Sequence, residues 1–287
     1  MDLFALALVV AASFVHATWN LLAKRAGGGR LFIWSYSAVT AVLYFPLVAW
    51  LVYQQTVPWS PLLLTAILVS GVLHLGYSVC LQTGYRKADL SVVYPVARGT
   101  GPTLSVIGAI ILLGEPATAA VAGGAGLIVA GVLVIGLAGT GTRAHGAIWP
   151  GIRWGAFTGT MIACYTIADG YTVRVLSLSP ILLDYFGNLV RLAFLTPIAL
   201  ARREELASGW RKNTRVILSV GALVPVSYVL VLFAMTRAPV SVIAPARELS
   251  MMVGVLFSWW ILKEPNVVRR LSGAALIACG VGLLTLL

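Results

Sequence analysis

The chain has little charge: only 10% of its 287 residues are Asp, Glu, Lys or Arg, against about 25% in an ordinary soluble domain. Hydrophobic residues make up 60% of the sequence, and the mean hydropathy is +0.95. A soluble fold of this size could not hide so much apolar surface, which excludes a cytosolic enzyme, a secreted disulfide scaffold and a disordered protein. We therefore predict an all-α membrane protein embedded in a lipid bilayer.

Signatures of several common chemistries are also missing. No GxxxxGK[ST] segment suggests ATP hydrolysis, and no HExxH or GxSxG suggests an intramembrane enzyme, so we expect no catalytic residues. The three cysteines lie in separate apolar runs without CxxC spacing, so we expect no metal and no cofactor. The basic residues behind the net charge of +11 are scattered singly or in pairs, a pattern that does not fit nucleic-acid binding.

Ten apolar runs, separated by loops rich in glycine and proline, fill nearly the whole chain. A spanning helix takes about 20 residues, so we predict ten transmembrane helices with no room for a soluble domain. The polar segment between the seventh and eighth runs is predicted to be a loop. The ten predicted spans, in chain order, are residues 3–23, 31–53, 61–85, 91–113, 117–139, 152–175, 180–200, 214–236, 240–262 and 267–287.

The two halves of the sequence repeat each other. The matching features are residues 88–95 with 238–245, Arg98 with Arg247, and Glu115-Pro116 with Glu264-Pro265. This match divides the chain into a five-helix repeat at 1–145 and a second at 146–287. Because five is odd, the second repeat must enter the membrane the opposite way round. Secondary transporters often have such inverted repeats, with a substrate site between the halves near the midplane.

The distribution of Lys and Arg predicts the orientation in the membrane. One face of the predicted bundle carries 15 of the 20 basic residues, the opposite face carries Arg174 and Arg237, and three lie inside spans. Basic loops are typically cytoplasmic, so both termini are predicted to be periplasmic in a bacterial inner membrane. The 15 residues are Lys24, Arg25, Arg30, Arg86, Lys87, Arg143, Arg153, Arg202, Arg203, Arg211, Lys212, Arg215, Lys263, Arg269 and Arg270.

The repeated motif resembles a known family. Leu81…Ala88-x-x-Ser91-x-x-x-Pro95 and its copy Leu232…Ala238-x-x-Ser241-x-x-x-Pro245, each followed one helix later by Glu-Pro, resemble the EamA-type branch of the drug/metabolite transporter superfamily. The resemblance covers the whole chain. In length and helix count the chain is similar to bacterial exporters of amino acids, aromatic ones included, and of other metabolites. Members of the family are often drawn with cytoplasmic termini, opposite to the charge count above.

The resemblance implies a monomeric bundle in which spans 1, 3, 4, 6, 8 and 9 surround a central cavity, with spans 5 and 10 at the periphery. It implies export of a small polar metabolite such as an amino acid. Uptake or exchange of organic anions such as phosphorylated sugars stays open, because two arginines inside the spans would suit it.

Charged residues inside a bilayer are costly and usually face a cavity or a partner. Arg98 and Arg247 are the strongest candidates, because each follows a proline in the equivalent span and a guanidinium can grip a carboxylate with two hydrogen bonds. The Gly-Thr-Gly-Pro segment at 99–102 predicts a weakened fourth span. Asp184 and Arg191 are expected to be less central, because they lie on span 7.

Polar residues at helical spacing complete the candidate site. His16 and Asn20 share a face of span 1, and Tyr165 and Asp169 occupy matching places in span 6. Structural ion pairs or hydrogen bonds between helices remain the alternative interpretation of each residue. The predicted substrate-binding residues are Arg98, Arg247, Glu248, His16, Asn20, His74, Tyr77, Ser78, Tyr94, Tyr165 and Asp169.

Overall fold

The computed structural model describes residues 1–25, 29–54, 57, 59–88, 90–138, 148–262 and 267–285. All regular secondary structure in these ranges is helical, which confirms the predicted all-α class. The helices are α1 (Leu3–Arg25), α2 (Arg30–Gln54), α3 (Pro61–Lys87), α4 (Leu90–Leu113), α5 (Ala119–Ala138), α6 (Ile148–Arg174), α7 (Pro180–Ala201), α8 (Arg203–Arg237), α9 (Val240–Ala246), α10 (Leu249–Leu262) and α11 (Val267–Thr285). The Glu264-Pro265 motif lies outside the described residues.

Within the described ranges, seven helices are long and apolar enough to cross a membrane: α1, α2, α3, α4, α5, α7 and α8. Many of their large side chains, such as Tyr53 and Ile111, are exposed on the outside of the bundle, where lipid rather than water would cover them. The chain is thus a multi-pass membrane protein.

The polar segment before the eighth span is helical, so its prediction as a loop was wrong. α8 begins at Arg203, and only Asn213, with φ −127° and ψ 20°, departs from helical geometry. The segment contains good helix formers such as Glu204, Glu205 and Leu206, and nothing in it forbids a helix. Exposed residues of this segment precede the apolar part of α8.

The fourth and ninth predicted spans differ in a way that the sequence did not predict. α4 is continuous from Leu90 to Leu113, so the predicted weakening at 99–102 was wrong. The hydroxyl groups of Thr103 and Ser105 donate to carbonyl oxygens of the preceding turn, at 2.8 Å each. Each hydroxyl group is thus satisfied inside the helix and does not interrupt it.

The ninth span is divided instead. α9 ends at Ala246, and α10 begins at Leu249. Between them the Glu248 amide donates to the Pro245 carbonyl at 3.0 Å, and the Ser250 amide donates to the Arg247 carbonyl at 3.1 Å. These bonds span three residues instead of four, so the backbone tightens at Arg247 and Glu248. Two of the predicted site residues therefore lie on a turn.

Glycines allow two helices to touch along their backbones at the edge of the bundle. A Cβ atom added at Gly131 of α5 would lie 2.5 Å from the Gly273 carbonyl oxygen of α11. A Cβ at Gly280 of α11 would lie 2.7 Å from the Gly124 carbonyl oxygen of α5. The lower-numbered glycine of one helix meets the higher-numbered glycine of the other, so α5 and α11 run antiparallel.

Candidate functional site

A cavity of about 110 Å³ lies inside the bundle. Side chains of α1, α2, α3, α4, α6, α7, α8 and α10 and of the turn after α9 line it, whereas no described residue of α5 or α11 does. A second cavity of about 30 Å³ adjoins it and is lined by Glu248 among others. The predicted site residues that line the larger cavity are His16, His74, Tyr77, Ser78, Arg98, Tyr165 and Arg247.

Arg98 is engaged with an acid from the other half of the chain. Its Nη1 lies 3.3 Å from Oε1 and 3.5 Å from Oε2 of Glu248, and the two side chains are only 16% and 4% exposed. Its Nη2 lies 3.4 Å from His16 Nε2, and its guanidinium lies 5.4 Å from the centre of the Tyr94 ring. This buried ion pair ties α4 to the turn after α9.

Arg247 has a different environment. Its Nη1 donates to the Thr166 hydroxyl at 3.2 Å, and its Nη2 donates to the Tyr165 hydroxyl at 3.4 Å. Its guanidinium lies 5.8 and 5.5 Å from the ring centres of Tyr165 and Tyr228. Among the described residues, no carboxylate forms an ion pair with Arg247. A cation beside a cavity without an acid partner can bind a carboxylate of a solute.

Asp169 lies behind the cavity wall. It is fully buried, and its Oδ2 lies 3.0 Å from His74 Nε2 and accepts a hydrogen bond from the Tyr228 hydroxyl at 2.5 Å. Its Oδ1 is buried and has no hydrogen-bond partner among the described residues. The His74 ring stacks on Tyr165, with centres 4.0 Å apart. The acid is thus separated from the cavity by the side chains that contact it.

Besides Asp169 and Glu248, two more predicted site residues, Asn20 and Tyr94, do not line the larger cavity. Asn20 is exposed, and its amide donates to the His16 carbonyl of its own helix. Tyr94 contacts Arg98 from behind and does not line the cavity. Asp184 and Arg191, which we expected to be less central, both line it, so the expectation for α7 was wrong. They reach the cavity because α7 packs on α2 and α3.

Sequence reasoning missed several lining residues, including Tyr36, Tyr228 and Ser227. Tyr228 could have been found from the repeat, because it is 150 residues after Ser78, the same offset that aligns residues 88–95 with 238–245. Nothing in the sequence distinguishes Tyr36 from the other tyrosines of the spans.

The Glu-Pro motif after α4 has a clear structural role that the sequence did not suggest. Glu115 is buried, and its oxygens accept hydrogen bonds from the amides of Val240 at 2.7 Å and Ser241 at 2.8 Å. Arg174, at the end of α6, pairs with the same carboxylate. Glu115 therefore holds the start of α9, whose other end carries Arg247, and a carboxylate is well placed at a helix N-terminus.

Comparisons with known proteins agree with this architecture. A protein of known crystal structure matches with a TM-score of 0.76 and 19% identity, and the alignment covers 98% of this chain and 96% of that chain. At this identity the likeness concerns the fold alone. No curated protein matches the sequence. The profile of the EamA-like transporter family matches residues 149–286. The second half of the chain is thus similar to EamA-like transporters.

Proposed function

We propose that this chain is a secondary transporter that exports amino acids, aromatic ones among them, and related small metabolites by alternating access. EamA-like proteins are transporters and not enzymes. The observation that carries the proposal is Arg247, a cation beside the central cavity that has no acid partner among the described residues. A substrate carboxylate would receive two parallel hydrogen bonds from its planar guanidinium.

The packing of the helices supports two inverted five-helix repeats at 1–145 and 146–287. A Cβ at Gly71 of α3 would lie 2.6 Å from Val190 Cβ of α7, and a Cβ at Gly221 of α8 would lie 2.7 Å from Val39 Cβ of α2. Gly221 lies 150 residues after Gly71 and Val190 lies 151 residues after Val39, so the repeat exchanges these two contacts to within one residue. It also exchanges the packing of α3 on α6 with that of α8 on α1. With α9 and α10 taken as one broken span, each half has five spans.

A zwitterionic substrate needs an anionic partner as well. Glu248 and Asp169 are engaged with protein groups, whereas Asp184 lines the cavity and forms no ion pair within the part of the chain that the structure describes. Asp184 is therefore the candidate acceptor for an ammonium group. Tyr36, Tyr77 and Trp19 provide aromatic surface in the same cavity. This wall suits an aromatic side chain.

One observation favours a second candidate, uptake or exchange of organic anions such as phosphorylated sugars. Arg191 also lines the cavity, and its Nη2 donates to the neutral Asn188 side chain at 3.2 Å. Its buried Nε has no hydrogen-bond partner within the described ranges. Among the described residues that line the cavity, two cations without an ion pair, Arg191 and Arg247, thus face one acid, Asp184. This balance suits a ligand with net negative charge.

We further propose a bacterial inner membrane as the location, periplasmic termini and a functional monomer. The excess of basic residues on one set of loops supports this orientation. A periplasmic reporter fused to the C-terminus should be active, and a fluorescent protein that matures only in the cytoplasm should stay dark. A bright cytoplasmic fusion would overturn the orientation and leave the proposed transport unaffected.

Counterflow in proteoliposomes tests the proposed function. Vesicles loaded with one unlabelled amino acid should accumulate the same labelled amino acid, and aromatic amino acids should be among those exchanged. A parallel panel of organic phosphates tests the second candidate. Protein-free vesicles control for leakage, and Arg247→Ala controls for the site. Saturable exchange of phosphates with no amino-acid exchange would replace the first candidate by the second, and no exchange of either would contradict both.

A further inference from the structure

His74 and Asp169 pair a histidine with an acid, whereas the ion pair beside the cavity between Arg98 and Glu248 contains an arginine. His74 comes from α3 and Asp169 from α6, and Tyr228 of α8 binds the same carboxylate oxygen. The His74 side chain is 16% exposed, whereas Asp169 is fully buried. His74, which lines the cavity, thus lies between the cavity and the buried carboxylate of Asp169. An ionisable group inside a membrane is by default a candidate for function.

The arrangement admits a proton and excludes a solute. Asp169 Oδ1 is buried and has no partner in the part of the chain that the structure describes, so an ammonium group of a substrate could not reach it without moving the wall. A proton needs only His74. Because Nε2 of His74 faces an acceptor, it carries the hydrogen of the neutral ring, and a proton from the cavity would bind Nδ1. The resulting imidazolium would be stabilised by the carboxylate that it contacts.

The other histidine beside the cavity is a poorer proton site. His16 contacts Arg98, whose positive charge disfavours a second positive charge next to it. The same guanidinium also contacts Glu248, at 3.3 Å. Among the described residues, His74 and Asp169 are the histidine and acid that contact each other directly.

Several charged or titratable groups face this pair or share its cavity, and none of them is a second acid in contact with His74. Tyr165 and Tyr228 contact the imidazole ring from α6 and α8. Arg247 is joined to the pair through Tyr165, whose ring stacks on His74 and whose hydroxyl binds the guanidinium. The remaining such groups lining the cavity are Tyr77 of α3, Tyr36 of α2, Asp184 and Arg191 of α7, His16 of α1 and Arg98 of α4.

We propose that His74 and Asp169 form a proton-binding site whose occupancy strengthens the binding of a carboxylate at Arg247. The proton adds one positive charge to the wall, one tyrosine away from Arg247, and by linkage the carboxylate strengthens proton binding equally. The coupling rests on the proposed transport function, whereas the proton site does not. A proton and a carboxylate that bind together cross the membrane in the same direction. With an inward proton gradient, export through this coupling therefore requires an outward substrate gradient that exceeds the proton gradient.

The first arm of the test needs no substrate. Protein labelled with ¹⁵N-histidine and reconstituted in lipid is titrated between about pH 5 and pH 9, the range in which histidine usually changes charge. Signals are assigned with His74→Gln and His16→Gln. The His74 signal should change with pH in the wild-type protein and lose that change in Asp169→Asn. A His74 signal that stays constant over the whole range, or that responds identically in Asp169→Asn, overturns the proton site.

The second arm measures coupling with tritiated L-phenylalanine as the probe. In counterflow with equal pH on both sides, the apparent affinity of the wild-type protein should rise by about three- to tenfold as the pH falls across the His74 titration. Asp169→Asn should lose this dependence, whereas His16→Gln, the matched histidine control, should keep it whatever its rate. Equal pH dependence in wild type and Asp169→Asn overturns the coupling. If no exchange of L-phenylalanine occurs, the transport proposal for this substrate falls, and the first arm still decides the proton site.

Discussion

Arg98 and Arg247 occupy matching places in the two halves of the chain, yet their surroundings differ. Each has one Nη2 contact of 3.4 Å with a residue at the matching position of another helix, His16 for Arg98 and Tyr165 for Arg247. Within the described residues, Arg98 also pairs with a carboxylate, that of Glu248, and Arg247 does not. Arg98 is thus part of a structural ion pair, whereas Arg247, at the equivalent position in the other half, leaves its positive charge available to a substrate.

The difference follows from the backbone of the two spans. The residue that matches Glu248 in the first half is Gly99, which carries no acid. α4 is continuous there, and a Cβ at Gly99 would face Leu133 of α5, 3.5 Å away, and not the cavity. The tightened turn between α9 and α10 brings Glu248 to Arg98 instead. Local geometry, more than residue type, therefore assigns the two roles.

The largest effect is expected from breaking the ion pair between Arg98 and Glu248. Arg98→Ala would leave Glu248, which is only 3% exposed, as an unpaired buried charge. Breaking a buried ion pair from one side costs about 3–5 kcal/mol, so we expect a large loss of folded protein from the membrane. Size-exclusion chromatography of detergent-extracted protein and thermal unfolding measure this loss.

The matched control for Arg98→Ala removes the acid as well. Arg98→Ala with Glu248→Gln should recover most of the folded protein, because no uncompensated charge remains. If Arg98→Ala alone folds as well as the wild-type protein, the pair is not structural, and the contrast between the two arginines disappears.

The second-largest effect is expected from replacing Arg247. Arg247→Ala should fold normally but transport about ten- to a hundredfold more slowly per folded molecule, because a charge-assisted hydrogen bond is worth about 1.5–3 kcal/mol. Arg247→Lys should recover only part of the rate, since a point charge lacks the planar fork. Counterflow normalised to folded protein measures both variants. Wild-type rates in Arg247→Ala would exclude this residue from substrate binding.

A third variant tests the close contact between α5 of the first half and α11 of the second half. Gly131→Ala places a Cβ against the Gly273 carbonyl oxygen and should destabilise the protein by about 1–3 kcal/mol. Gly126→Ala is the matched control on the same helix, because no atom lies within 4 Å of its added Cβ. Thermal unfolding compares them. Equal stability of the two variants would argue against the close crossing of α5 and α11.

The smallest effect separates the hydroxyl of Tyr165 from its ring. Tyr165→Phe removes a long hydrogen bond to Arg247 but keeps the ring beside the guanidinium. We expect the apparent affinity in counterflow to weaken by only about two- to fivefold, because this bond from a charged donor is 3.4 Å long, well beyond the about 2.7–2.9 Å of a strong charge-assisted bond. A loss as large as that of Arg247→Ala would mean that the hydroxyl binds the substrate directly.

The sequence predicted the helical class and most helix positions because long apolar runs leave little choice in a membrane. It also placed Arg98, Arg247, His16 and Tyr165 at one cavity, because intramembrane polar residues are rare and recur in both halves. The sequence could not predict which of these side chains contact each other. The contact between His74 and Asp169 joins residues 95 positions apart, and that between Arg98 and Glu248 joins residues 150 apart.

The break in the ninth span was also beyond sequence reasoning. Pro102 lies inside the continuous α4, and Pro245 lies just before the turn at Arg247. Proline alone does not decide between these outcomes, because neighbouring hydroxyl groups and packing decide how the backbone is satisfied. For the same reason, the role of Glu115 at the start of α9 depends on a loop and a helix that meet only in the folded protein.

The most direct test of the account is an experimental structure of the lipid-reconstituted protein with bound L-phenylalanine. We predict that the ligand carboxylate lies within hydrogen-bond distance of the Arg247 guanidinium, while Arg98 remains paired with Glu248. A carboxylate bound to Arg98, with Glu248 displaced and Arg247 still held by Thr166 and Tyr165, would contradict the assignment of roles to the two arginines.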